Sequence, residues 1–213
     1  AVRYVDALAE GCAAHNAVVA GIGDPYAEKS PKYELARTLT SAFYNTVEEF
    51  YQENEADLAI IGTPIPLHAP QAICCMEHGT HVLTEKPIAG TLADAQRMTE
   101  ARDRTGRILA VGFQWCYDPA MLAFRRDAQA GLFGELLSAK GLVLWPRDTA
   151  YYTRTSGWAG KKYDKNGNPI FDSVASNATA HYLENILWIT GREVTDIQAV
   201  TARANPIETY DTI

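Results

Sequence analysis

The sequence predicts an α/β chain, a doubly wound parallel sheet followed by an α+β region. Three observations carry this. Apolar runs at 17–23, 58–63, 81–84 and 108–113 read as short buried strands, helix-length segments stand between them, and the texture changes after Gln114. Strands alternating with helices of roughly 10–15 residues pack as repeated βα units on a parallel sheet. Crossovers of this kind are right-handed almost without exception.

In chain order, Ala1, Tyr4, Val5, Leu8 and Cys12 recur at helical spacing, so an amphipathic helix opens the chain. Residues 17–23 form a continuous apolar run closed by Asp24-Pro25, a buried strand ending at a turn. A short helix at 46–54 leads to a second strand, 58–63. Pro64 and Pro66 break the chain after that strand, and a helix runs from 69 to a stop at Gly79. A third strand spans 81–84, Thr91 with Asp94 starts a helix that ends before Gly106, and a fourth strand spans 108–113. Beyond it stand a helix at 118–130, a strand near 136–145, an aromatic-rich loop, a helix at 173–190 and alternation over 194–204 that reads as an antiparallel strand. A boundary near 115 divides the chain into domains 1–115 and 116–213.

The composition narrows the partners. A net charge of −7 argues against nucleic acid or an anionic membrane, both of which need clustered Lys and Arg. No apolar run approaches the roughly 20 residues of a membrane-spanning helix, and the start shows no secretory pattern. The four cysteines, Cys12, Cys74, Cys75 and Cys116, have no disulfide-framework spacing, which points to a reducing cytoplasm. The chain starts at Ala1 and stops at Asp211-Thr-Ile, so it reads as a fragment of a longer protein.

A dinucleotide-binding unit runs strand, glycine turn, helix, strand and acidic residue, with the acid about 20 residues beyond the glycines. Asp24 occupies the acidic position. The glycine turn should lie just before Ala1 and is not in this sequence; Gly21-Ile-Gly23 fails both spacing and context. Asp24 is open to two readings, an ordinary Asp-Pro turn or a ribose ligand. As a ribose ligand its carboxylate would repel a 2′-phosphate, favouring NAD while leaving NADP possible.

Thr84-Glu85-Lys86-Pro87 follows a short strand at the carboxyl edge of the sheet, where such folds bind ligands. Alone, Glu-Lys-Pro is a common surface tripeptide. Here Thr63-Pro64 with His68 stands upstream, and Gly112-Phe113-Gln114 with Asp118-Pro119 downstream. With these residues the chain resembles the glucose–fructose oxidoreductase / inositol dehydrogenase family (Gfo/Idh/MocA), most strongly over 58–119 and 171–191. The resemblance implies a Rossmann domain followed by an α+β domain with a mostly antiparallel open sheet. It implies an NAD(P)-dependent oxidoreductase acting on a secondary alcohol of a sugar, cyclitol or related polyol. It also implies that Thr63, Pro64, His68, Glu85, Lys86 and Gln114 line the cofactor, that Lys86 reaches the substrate, and that the full-length form is a homo-oligomer.

The family's Asp-x-x-x-His pattern is matched by Asn177-Ala-Thr-Ala-His181. Spacing of four puts both side chains on one helical face, and the resemblance makes His181 the proton-transfer residue. An amide in place of the acid still hydrogen-bonds substrate but takes no proton. Lys86 would then steady a developing alkoxide while His181, which titrates near neutrality, accepts the proton. Tyr151, Tyr152, Arg154 and Trp158 on the long loop suit sugar stacking and hydroxyl contacts, or simple packing. Cys74, Cys75, His78 and His81 suggest zinc, but adjacent cysteines on a helix diverge by about 100°, so no metal is expected. Asp164 and Asp172 suggest glycosidase carboxylates, yet Asp164 sits in a polar turn and reads as a solvated charge. Two rival functions stay open: a glycosidase or lyase that oxidises its substrate transiently, and a non-catalytic cofactor-binding relative.

Overall fold

A computed structural model describes residues 2–153, 157–200 and 202. They form two compact units, one holding the residues up to Glu85 together with Ala93–Ala110, the other Lys86–Leu92 and the chain from Val111 on.

The first unit opens with α1 (Val2–Gly11), as its periodicity requires. β1 (Ile22–Gly23) pairs in parallel with β2 (Phe43–Tyr44). The strand is shorter than the apolar run 17–23 predicts, and Val18 is 91% exposed. Apolar residues hold a strand only where a neighbour supplies ladder partners, and β2 supplies two. Between β1 and β2 runs α2 (Tyr33–Leu39). α3 (Val47–Tyr51) starts at Thr46, whose hydroxyl accepts from the Glu49 N–H at 3.2 Å, an N-cap.

β3 (Leu58–Ile61) and β4 (His81–Thr84) pair in parallel from Leu58↔His81 to Ile61↔Thr84. β5 (Leu109–Val111) lies on the far side of β4, where the Val82 N–H donates to the Ile108 carbonyl at 2.8 Å. This is the expected Rossmann-type parallel sheet, its order β3-β4-β5 following the chain. α4 (Ile65–Glu77) joins β3 to β4 and begins four residues before the predicted start at 69. The prolines read as breakers in fact start the helix: Pro64 is its N-cap and Pro66 lies in the first turn, where a missing N–H costs nothing. α5 (Leu92–Thr105) joins β4 to β5. Ala72, Cys75 and Met76 of α4, Val82 of β4, and Met98 and Ala101 of α5 form the buried core.

In the second unit Asp118 caps α6 (Pro119–Gln129), accepting from the Ala120 N–H at 2.8 Å. α7 (Thr149–Tyr152) is a single turn. α8 (Ala180–Thr190) packs on α6, with Arg125 lying over the Trp188 ring at 4.5 Å, and stops at Gly191 in the left-handed region, φ 62°.

Three sequence expectations change here. The strand near 136–145 is absent, residues 135–148 carry no ladder, and Leu137 is 91% exposed. Residues 194–200 and 202 likewise form no strand, the rest of that segment lying outside the described residues. The described residues therefore contain no open antiparallel sheet. Their antiparallel pairing is the bridge Tyr163↔Pro169. An extended segment becomes a strand only against a neighbour, and these find none among the described residues. Third, the helix predicted over 173–190 is broken: Val174–Ala178 is a wide turn closed by the Thr179 N–H on the Val174 carbonyl at 2.9 Å, and α8 comes after it. No helix among the described residues is long and apolar enough to cross a membrane.

Candidate functional site

The first unit presents its loops at the carboxyl ends of parallel strands. Asp24 follows β1, and its carboxylate accepts from the Tyr26 N–H at 2.8 Å, the turn geometry of the plainer reading. Gly21 is no phosphate cradle, because a Cβ there would meet Tyr44 at 2.9 Å and Phe50 at 3.0 Å. After β3, Thr63 donates its hydroxyl to Gln71 at 2.7 Å, and its carbonyl accepts from Nε2 of His68 at 2.9 Å. Because a carbonyl only accepts, that ring nitrogen must carry the proton. His68 is 1% exposed, so it fixes the Thr63-Pro64 loop from inside. Glu85 follows β4 and accepts from the Tyr4 hydroxyl at 3.0 Å, which ties α1 to this edge.

The second unit contains a polar chain built from residues far apart in sequence. Lys86 donates from Nζ to the Asn177 carbonyl at 3.1 Å and makes a shorter hydrogen bond to Oδ1 of the same residue. The Asn177 amide donates from Nδ2 to Oδ1 of Asp172 at 2.5 Å. The other oxygen, Oδ2, accepts from the Gly160 N–H at 2.6 Å. Asp172 is 6% exposed and Asn177 8%. The wide turn positions Asn177: Ser173 caps it, accepting from the Ser176 N–H at 2.9 Å, and Ser176 donates to the Phe171 carbonyl at 2.8 Å. Wide turns of this type recur at functional sites. Phe171 has φ 46°, a left-handed backbone costing an aromatic residue about 1–2 kcal/mol. That strain sets the direction of the next residue, Asp172.

His181 lies in the first turn of α8, 4% exposed, with Trp115 at 4.9 Å and the edge-on Phe113 ring at 5.5 Å. Because the helix is broken at Thr179, Asn177 and His181 do not share an α-helical face, and the spacing-of-four expectation fails for that reason. Gln114 opens the single turn Gln114–Tyr117 and is exposed. Tyr152 and Trp158 gather around Tyr151, at 5.2 Å and 6.3 Å, and Arg147 stacks on Tyr151 at 4.7 Å. Arg154 lies outside the described residues.

Lys86 and Asn177 are thus brought together; Asp24 follows β1 of the two-stranded sheet, and Thr63, Pro64, His68 and Glu85 stand beyond the carboxyl ends of β3 and β4. Sequence reasoning missed Asp172, which it considered only as the glycosidase partner of Asp164. Asp164 is that charge: it accepts from the N–H groups of Asn166 and Asn168, both at 2.8 Å, and the Asn168 side chain holds its carboxyl below the usual range. Asp172 differed by one legible signal, its place after the apolar pair Ile170-Phe171. Of the cysteine and histidine cluster, His81 accepts the Ile108 N–H at 2.9 Å through Nδ1 and Cys75 is buried in the core.

Residues 4–113 match a family described as an oxidoreductase family with an NAD-binding Rossmann fold (GFO_IDH_MocA). The chain is 32% identical over 126 residues to an alpha-N-acetylgalactosaminidase of Bacteroides fragilis, covering 55% of this chain and 29% of that one. It is 27% identical over 177 residues to scyllo-inositol 2-dehydrogenase (NAD(+)) of Bacillus subtilis, covering 83% and 47%. Among solved structures it is similar to the WlbA dehydrogenase of Bordetella pertussis in complex with NADH and UDP-GlcNAcA, with TM-score 0.70, 26% identity and coverage of 87% and 50%. The chain spans half or less of the length of these relatives.

Proposed function

From the premise that this chain belongs to the Gfo/Idh/MocA family of NAD-binding oxidoreductases, we propose that its protein is a dehydrogenase acting on a secondary alcohol of a sugar, cyclitol or related polyol. The observation that carries the reading is Lys86, an ammonium in a half-buried setting, aimed by a buried amide and carboxylate. A cation so held steadies negative charge as it grows on an alcohol oxygen, and a preorganised donor of this kind is worth about 10²–10³ in rate. His181 accepts the alcohol proton; its aromatic walls exclude water and fix the ring. Tyr152 and Trp158 offer faces for a sugar ring.

NAD fits the first unit in part. Asp24 stands at the strand end where a ribose diol is recognised, and the Thr63-Pro64 loop is held rigid by His68 at the sheet edge. Glu85, Lys86 and Gln114 complete the set implied by the family. The donors a pyrophosphate needs, a glycine-rich turn, are not among these 213 residues. When bound, NAD supplies the hydride acceptor; binding, orientation and proton transfer fall to the residues named. Calorimetric titration of NAD and NADP into the gene product that contains this chain tests the reading. Tighter binding of NAD, weakened by Lys86→Ala, and nicotinamide reduction with a polyol or sugar panel are the expected results. Absence of binding overturns it and leaves a non-catalytic relative.

A second reading, transient oxidation that serves bond cleavage, is favoured by the 32% likeness to the Bacteroides fragilis alpha-N-acetylgalactosaminidase. It is distinguished by glycoside cleavage with no net change in nicotinamide absorbance. A reducing cytoplasm suits the spacing of the four cysteines, none of which is disulfide-bonded, and homo-oligomerisation of the full-length protein is part of the proposal, checked by light scattering.

A further inference from the structure

We infer that Asp172 is a positioning residue: its buried carboxylate orients the Asn177 amide and, through it, holds Lys86 as an ammonium aimed at the substrate oxygen. The catalytic half of this rests on the role proposed for Lys86. The orientation follows from donor and acceptor chemistry. Lysine has only donors, so Oδ1 of Asn177 must face it; an ionised carboxylate only accepts, so Nδ2 must face Asp172. The amide is thus held at both ends, and its flip state is set by charge rather than chosen.

Asp172 cannot be replaced by its own amide. Its two oxygens take two N–H donors, Asn177 on one side and Gly160 on the other, at 2.5 Å and 2.6 Å. An asparagine at 172 accepts one and confronts the other with its NH₂. The carboxylate is buried, the Lys86 cation is linked to it through the amide, and a buried charge without such a partner is strongly unfavourable. The backbone also aims it. Phe171, in the left-handed region, is held by its N–H on the Lys162 carbonyl at 3.1 Å and by Ser176 on its own carbonyl, while the Asp172 N–H donates to Lys161 at 3.0 Å. Other ionisable groups on these elements include Glu85, which accepts from Tyr4, Lys161 and Lys162, which lend backbone carbonyls, Asp164 in its own turn, Glu184 on α8, and His181 between its rings.

The test transposes the two side chains. In Asp172→Asn with Asn177→Asp, the amide at 172 accepts from Gly160 and donates to the acid at 177, which receives Lys86, so every hydrogen bond of the chain is remade with the charge moved. Lys86 is followed by NMR titration of its ε-carbon in the intact gene product, without cofactor. Asp172→Asn is expected to lower the Lys86 midpoint by about one unit, as loss of an oriented acceptor and its charge does. The transposed variant returns it to the starting value or above, and Asp164→Asn leaves it in place. An unchanged Lys86 midpoint in folded Asp172→Asn overturns the inference and leaves Asp172 a clasp for the Gly160 loop. If Asp172→Asn fails to fold, the transposed variant decides: recovery of fold and midpoint supports the inference, and failure of either overturns it. Turnover separates this from the function above. A midpoint that moves while turnover stays constant keeps the positioning role and removes Lys86 from catalysis.

Discussion

The two units bury polar groups in opposite ways. In the first, hydrogen bonds from single side chains tie off backbone: His68 donates to the carbonyl five residues before it, and Thr80 donates to the Ala56 carbonyl at 2.8 Å and accepts from Tyr51 at 2.7 Å. In the second, a cation and an anion are linked by an amide over 91 residues of sequence. Satisfied neutral groups stabilise a loop by about 1 kcal/mol each. Desolvated charges return little stability even when paired. The first arrangement builds a scaffold; the second, on the function proposed above, holds a cation for chemistry at the expense of stability.

The largest effect that would break this contrast is at Lys86. Lys86→Met should lower turnover about 10³-fold and also lower the thermal midpoint, because it leaves the Asp172 carboxylate buried without its cation; unchanged turnover would make Lys86 a scaffold residue. Met98→Ala should act on stability alone, destabilising by about 2–5 kcal/mol in denaturant melts, because Met98 is buried in the first core. His68→Ala should destabilise by about 1–3 kcal/mol by leaving the Thr63 carbonyl unpaired; an equal loss from His68→Asn would show that the ring's packing matters more than its hydrogen bond. Alkali gives a smaller effect with a definite sign. Burial pushes the Cys75 thiol up to about 11 from 9.0, and burial also raises Tyr51. A raised folded-state value favours the folded form fully below the unfolded value, so stability should hold up to pH 9 and fall between pH 9 and 11. Cys75→Ala should flatten part of that fall. Smallest is Arg104→Ala, which breaks an exposed ion pair with Glu77 and should change stability by less than about 1 kcal/mol.

The parallel sheet was legible because its strands are short, largely apolar segments and its helices end at glycines; β3, β4 and β5 fall where those segments lie. Helix starts were less legible, since Pro64 and Pro66 read the same whether they stop a helix or begin one. The run 17–23 misled because apolar composition reports a tendency to be buried, whereas a ladder needs a neighbour of matching length. At the candidate site, Lys86 and Asn177 were singled out by resemblance to family motifs, and the structure brings them into contact. Asp172 was not, because its partners are the backbone of Gly160 and an amide five residues on, and neither leaves a pattern in residue types.

The wide turn at Val174–Ala178 has a consequence for descent. Such a turn is an α-turn with one residue added. Removing Ala178 from it would let the turn join α8 as one unbroken helix and rotate Asn177 by about 100° about the axis. The link from Asp172 to Lys86 would be cut with every participating residue type intact. A single-codon deletion would then break this link where a comparison of residues alone sees nothing missing, so gaps in this stretch carry as much information as substitutions.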